Sequence, residues 1–192
     1  SNAFYETLRN ANEKNIMKDV AMFSATASAI ATMVNEFHKG FLDEYVENMC
    51  AFLDYLINVK KYTCITEVCP YNEPTWAFMD DTGYVDLKSY YSLCKKLDSF
   101  LRECNLRDKI KLNLSDGNTI KGSSEIMDNL KELSDIYNTH SYNYPSDCDN
   151  EDPYMESKAL SKKANGYGAI HTFGEFGTNA CVGSYVARDI DT

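Results

Sequence analysis

The chain has 192 residues, a length that suits one domain with a sizeable hydrophobic core. Its formal net charge of −10 argues against nucleic acid or an anionic membrane surface as the main partner, since both require clustered Lys and Arg. No apolar run in the sequence is long enough to cross a membrane.

Helical and strand-like patterns alternate along the chain. Residues 41–59 place five apolar side chains on one helical face: Phe41, Tyr45, Met49, Phe52 and Leu56. Asp86 is a candidate N-cap for the next helix. Either Ser123 or Ser124 is predicted to open the fourth helix. The predicted helices are 4–16, 41–59, 86–104, 123–133 and 154–164, and the predicted strands are 19–25, 62–68, 109–115, 135–142 and 167–176.

This alternation repeats about five times at roughly 30 residues, the size of a βαβ unit. It predicts a parallel sheet wrapped by helices, either open or closed as a barrel. Five strands are too few for a complete (β/α)₈ barrel, which usually needs about 250 residues. The predicted fold class is therefore α/β: a partial (β/α)₈ barrel of the TIM type, comprising roughly its strands 3 to 7.

The chain ends and the cysteines bear on domain organisation and location. Residues 1–3 look like a cloning scar, so residues 4–192 are expected to form the single domain. The native start of the chain, and any export signal there, is therefore not visible in the sequence. The seven cysteines lack the spacing of a disulfide framework, and most are predicted to be buried free thiols. Free thiols favour a reducing, cytoplasmic location. An exported protein of an anaerobe would carry the same thiols, so an extracellular location stays open. Cys64 and Cys69 lack a second pair at zinc spacing, and no zinc site is predicted.

Polar side chains follow the predicted strands at the rim where parallel barrels keep their active sites. Glu73 follows one strand and Glu175 ends another. Two carboxylates facing each other across a cleft suit glycosidic bond cleavage, because one can donate a proton while the other attacks the anomeric carbon. The remaining rim candidates are His140, Tyr142, Asn113, Ser115 and Asp116.

Three short motifs follow one another along the chain: Asn72-Glu73-Pro74, then His140-x-Tyr142, then Gly-Glu-Phe-Gly at 174–177. In this order they resemble glycoside hydrolase clan A, in the style of the cellulase-like family five. The resemblance implies a retaining, double-displacement hydrolase of β-linked oligo- or polysaccharide. Glu73 would be the general acid/base and Glu175 the nucleophile.

The resemblance also implies roles around the two glutamates. Asn72 would hydrogen-bond the sugar 2-OH, Tyr142 would hold or polarise Glu175, and His140 would line the subsite. Trp76 is placed where an aromatic ring could stack on a sugar. Neither a metal nor an organic cofactor would be needed, and the partner would be a carbohydrate substrate.

Each of these candidate residues also has a simpler structural interpretation. Glu73 alone could be a surface acid in a proline turn, and Trp76 could pack against a neighbouring helix. Asp116 and the acids at 147 and 149 would ordinarily be solvated loop residues. A calcium site from the acids at 147, 149 and 152 lacks EF-hand spacing. His171 is expected to be structural and His38 to lie on the surface.

Two further functional hypotheses remain. The first is a non-catalytic truncated barrel that binds carbohydrate or is an inactive remnant; its unpaired sheet edges would favour a homodimer. The second is an open α/β enzyme of another class. It is disfavoured because the sequence has no glycine-rich phosphate loop and no GxSxG nucleophile elbow.

Overall fold

The structure, a computed structural model, describes residues 2–14, 20–23, 42–77, 86–141 and 153–176. Helices and strands alternate through these ranges. The helices are α1 (Asn2–Glu13), α2 (Leu42–Asp54, continued by a π-helical turn at Tyr55–Val59), α3 (Pro74–Ala77), α4 (Leu87–Glu103), α5 (Ile120–Leu130) and α6 (Pro153–Gly166). The strands are β1 (Val20–Phe23), β2 (Ile65–Cys69), β3 (Lys111–Leu112), β4 (Ile136–Ser141) and β5 (Ile170–Phe176).

All described strand pairs are parallel. β1 pairs with β2 and β2 with β3, while β4 pairs with β5. Two isolated parallel bridges, Asn113 to Ile136 and Gly117 to Thr139, connect the two small sheets. Neighbours therefore follow chain order, as expected when each strand returns through a helix. The predicted α/β class with parallel strands is confirmed, whereas closure into a barrel stays a prediction.

Several predicted boundaries need correction. α5 begins at Ile120 and not at Ser123 or Ser124, because Thr119 has extended backbone angles and its hydroxyl accepts a hydrogen bond from the Gly122 amide at 2.9 Å. The predicted cap of α4 is confirmed: the Asp86 carboxylate accepts from the Ser89 amide at 3.1 Å. Strand β3 is shorter than predicted.

Of the predicted inward residues, Leu56 is fully buried as expected, but the rest of the buried face of α2 lies one position further along the chain than predicted. Val46, Cys50 and Leu53 are fully buried, whereas Tyr45 and Met49 only pack against the edge of the core. Tyr45 reaches that edge with its hydroxyl, which donates to the Pro70 carbonyl at 2.7 Å. Because its hydroxyl needs a hydrogen-bond partner, Tyr45 lies at the edge of the core, and the neighbouring smaller side chains of α2 fill the core instead.

The described cysteines follow the prediction with one exception. Cys50, Cys64, Cys69 and Cys94 are buried thiols, and Cys104 is exposed. The exposed thiol lies at the C-cap of α4, where the chain leaves the core. The cysteines at 148 and 181 lie outside the described residues. None of the helices that the structure describes combines the length and apolarity required of a membrane span.

An ion network closes the end of the sheet where β4 begins. Arg107 binds Asp98 at 2.8 Å and Asp135 at 2.8 Å, and it also donates to the Leu133 carbonyl. Burial would raise the pKa of Asp98, but its hydrogen bonds to Arg102 and Arg107 outweigh burial and lower that pKa. This ion network lies at the amino ends of β3 and β4, opposite the carboxyl ends where the candidate site lies.

Candidate functional site

Four successive strands deliver one titratable side chain each to the carboxyl end of the sheet. Glu73 follows β2 and Asp116 follows β3, while His140 lies in β4 and Glu175 in β5. Because neighbouring parallel strands end at the same rim, side chains far apart in sequence meet there. The predicted convergence of Glu73, His140 and Glu175 is what the structure shows.

His140 is the centre of this group. Its Nδ1 lies 2.8 Å from Glu73 Oε1 and 3.6 Å from Glu175 Oε2, while its Nε2 lies 3.0 Å from Asp116 Oδ1. The imidazole is only 1% exposed, whereas the Glu175 side chain is 46% exposed. One ligand atom each of Glu73, His140 and Glu175 lies within 4.8 Å of the others. The two glutamates therefore face one small volume that opens to solvent on the Glu175 side.

Asp116 anchors His140 from below. It is fully buried, and its Oδ1 also accepts a hydrogen bond from Asn138 Nδ2 at 2.5 Å. Its second oxygen has no hydrogen-bond partner among the described residues. Asp116 lies at the rim, as predicted, but the simpler reading of a solvated loop acid is wrong, because the turn after β3 folds inward and bridges to β4 through Gly117.

Both loop acids have left-handed backbone conformations. Glu73 has φ of +52° and Asp116 has φ of +42°, and the Glu73 amide donates to the Asp116 carbonyl at 3.1 Å. Such conformations cost of order 1–3 kcal/mol in residues other than glycine and collect at functional sites. The hydrogen bond between the two loops offsets part of this strain and holds both carboxylates in position.

A bulge in β5 turns Glu175 toward the site. Thr139 pairs with Phe173 and His140 pairs with Glu175, so Gly174 has no partner of its own. An extra residue shifts the alternation of side chains, which puts Glu175 on the same face as His140. A Cβ at Gly174 would lie 2.1 Å from Asn138 Nδ2, so only glycine fits against the amide that holds Asp116.

The charge state of His140 follows from its neighbours. Burial by itself would lower the pKa of His140, but hydrogen bonds to Asp116 and Glu73, with the charges of Asp116 and Glu175, raise that pKa to about 10. At neutral pH the ring is therefore an imidazolium that donates from both nitrogens. Three acids and one fixed cation share the rim.

The other predicted site residues lie at the margin or outside the described residues. Asn72 is partly buried and directly precedes Glu73. Trp76 is 55% exposed on α3, which does not support packing inside a helical interface. Tyr142 lies outside the described residues, so its predicted contact with Glu175 stays a prediction. The same holds for His38 and for the acids at 147, 149 and 152.

His171 has the structural surroundings that were expected. Its Nδ1 lies 2.7 Å from Ser161 Oγ and its Nε2 3.0 Å from Thr139 Oγ1, so the ring ties β5 to α6 and β4. Burial lowers the pKa of His171. A neutral ring bonded to two hydroxyls serves packing and not the rim chemistry.

Comparison with known proteins adds no relative. No family model matches the chain, and neither a curated protein nor a solved structure is significantly similar to it. The resemblance to clan A therefore depends on the short motifs around Glu73, His140 and Glu175.

Replacement of Gly174 tests the packing beneath the site. Gly174→Ala places a methyl group against Asn138, so we expect a lower free energy of unfolding, by about 1–3 kcal/mol as for other overpacked sites, measured by urea denaturation. Gly166→Ala is the matched control, because a Cβ there meets nothing within 4 Å. Equal stability of the two variants would contradict the close approach.

The titration of His140 tests the charge state of the site. By NMR of the ring nuclei, we expect His140 to keep its proton until pH about 10 and His171 to lose its proton below 6.5. Because folding raises the pKa of His140, its contribution to stability is complete below pH 6.5 and is lost as pH rises through about 10. A His140 midpoint at or below that of His171 would contradict the ion network.

Proposed function

We propose that the chain is a retaining glycoside hydrolase for β-linked oligo- or polysaccharide, with Glu73 as general acid/base and Glu175 as nucleophile. The observation that carries the proposal is that one carboxylate oxygen of Glu73, in the loop after β2, lies within 4.8 Å of one carboxylate oxygen of Glu175, in β5. Retaining enzymes separate their carboxyl groups by about 5–5.5 Å, and inverting enzymes by about 6.5–9.5 Å to admit a water molecule. Carboxylate oxygens within 4.8 Å of each other agree better with the shorter, retaining separation than with the longer, inverting one.

The proposed reaction has two steps. In the first, Glu175 attacks the anomeric carbon while Glu73 gives its proton to the leaving oxygen, which forms a glycosyl ester on Glu175. In the second, Glu73 takes a proton from water, the water oxygen attacks the anomeric carbon, and the Glu175 carboxylate leaves. The half-exposed Glu175 lies on the side from which a sugar would enter.

His140 would act by holding Glu73 in place. A protonated His140 donates to Glu73 and favours its ionised carboxylate, which suits the base step and opposes the acid step. Substrate binding would therefore need to weaken this contact before proton donation. Asn72 and Trp76 flank Glu73, in agreement with the sugar contacts that the resemblance implies for them.

Because protonated His140 opposes proton donation by Glu73, a second candidate function is also favoured. A non-catalytic domain that binds carbohydrate would need neither proton donation nor attack, and the exposed Trp76 ring would still offer a stacking surface. The two candidates differ in turnover: both predict sugar binding, and only the first predicts cleavage. The class of sugar is a proposal in either case.

The barrel and the homodimer belong to the same proposal. Five parallel strands in chain order suit a (β/α)₈-type barrel, though the described strands leave β1 and β5 at the edges. On β5, Ile170 is 52% exposed and Phe173 is 39% exposed. Exposed apolar side chains on an edge strand favour pairing with a second copy.

Azide rescue tests the two roles. With aryl β-glycosides as probes, we expect Glu73→Ala to lower kcat about 10²–10⁴-fold, because it removes the general acid/base. Azide should restore turnover and give the β-glycosyl azide, since it attacks the glycosyl ester in place of activated water. In Glu175→Ala, azide should instead give the α-glycosyl azide by direct displacement.

The control variant is Glu132→Ala, an exposed glutamate just before β4 at the opposite end of the sheet, which should keep full activity. The same azide product from both site variants would contradict the assigned roles. Sugar binding by the unmodified chain without any turnover would replace the hydrolase with the carbohydrate-binding candidate.

A further inference from the structure

The side chains of Glu73, His140 and Glu175 have the ligand types and the spacing of a metal site. Carboxylate oxygen and imidazole nitrogen are common ligands of Zn²⁺ and similar divalent ions. One ligand atom from each of the three residues lies within 4.8 Å of the other two. We propose that Glu73, Glu175 and Nδ1 of His140 bind one divalent transition-metal ion of the Zn²⁺ class.

Asp116 prepares His140 for this task. A metal-binding histidine usually donates its second ring N–H to a carboxylate, which fixes the tautomer and the ring orientation. Here Nε2 lies 3.0 Å from the fully buried Asp116 carboxylate, so Nδ1 is the nitrogen that faces the glutamates. Asn138 holds Asp116 in turn, at 2.5 Å. The imidazole therefore has one orientation before any ion binds.

Movement of the two glutamates toward each other would convert the present geometry into tetrahedral coordination. Bond lengths near 2.0–2.2 Å place tetrahedral ligand atoms about 3.4 Å apart. Glu73 Oε1 lies 2.8 Å from Nδ1 and must move outward slightly, while Glu175 Oε2 at 3.6 Å is already near the required separation. Glu175 is half-exposed, which gives its long side chain room to close on Glu73. The solvent-facing side leaves a fourth position for water.

The charges of the site also favour a cation. Glu73, Asp116 and Glu175 surround one histidine, and no Lys or Arg of the described ranges forms an ion pair with Glu73 or Asp116. A divalent ion that displaces the Nδ1 proton to solvent adds one net positive charge to the cluster. This brings the three carboxylates closer to neutrality.

Metal binding and glycosyl transfer would exclude each other, because both use the same carboxylate oxygens. A bound ion would block attack by Glu175 and proton transfer by Glu73. Binding itself depends only on the geometry of the cluster, so it is independent of whether the chain cleaves sugars. Loss of one property therefore does not imply loss of the other.

Nitrogen NMR of the histidine rings tests the proposal directly. We would titrate the ¹⁵N-labelled chain with Zn²⁺ at mildly alkaline pH, where the ion competes better with the ring proton. We expect saturation at one ion per chain, a large shift of His140 Nδ1, and an Nε2 that keeps its proton. His171, whose ring is bonded to Ser161 and Thr139, should not shift and serves as the internal control.

Two variants separate this site from adventitious surface binding. Glu175→Gln replaces an anionic ligand on the exposed side with a neutral amide, and Asp116→Asn removes the negative charge of the group that accepts from Nε2; each should weaken Zn²⁺ binding about 10–100-fold. Glu132→Gln, at the opposite end of the sheet, should bind as tightly as the unmodified chain. The proposal fails if Zn²⁺ leaves Nδ1 of His140 unshifted, or if Glu175→Gln and Glu132→Gln bind equally.

Discussion

The hydrogen bond between buried His140 and buried Asp116 is the contact on which the rest of the rim depends. It fixes the imidazole so that Nδ1 faces Glu73 at 2.8 Å and Glu175 at 3.6 Å. Removing one partner of such a pair strands an uncompensated charge and typically costs about 3–5 kcal/mol. Asn138 in β4 binds Asp116, and Gly174 in β5 leaves room for Asn138. The strands, and not only the loops, therefore hold the side chains of the site in place.

The two ends of the sheet use charge differently. At the amino ends, Arg107 joins Asp98 to Asp135, and each acid there has a permanent cation as partner. At the carboxyl ends, acids outnumber cations, and both Glu73 and Asp116 have left-handed backbone conformations. An excess of acidic side chains and a strained backbone both lower the stability of a fold. Both features are common at functional sites.

Much of this arrangement could be predicted from the sequence. The alternating periods predicted the parallel α/β class, and the strand ends predicted that Glu73, His140 and Glu175 would converge. Asp116 was predicted to lie at the same rim, but its burial was not predicted, because only the inward fold of the turn after β3 takes its carboxylate out of solvent. The Gly174 bulge could not be predicted either, because it depends on how β5 registers against Asn138 in β4.

In the proposed reaction, Glu175 attacks a sugar while Glu73 assists. Covalent trapping tests it most directly: the chain is treated with a panel of fluorinated β-glycosides that carry a dinitrophenyl leaving group, then digested and read by mass spectrometry. We expect one fluorinated glycosyl group per chain, attached to Glu175. A label on another residue, or none across the panel, would contradict it.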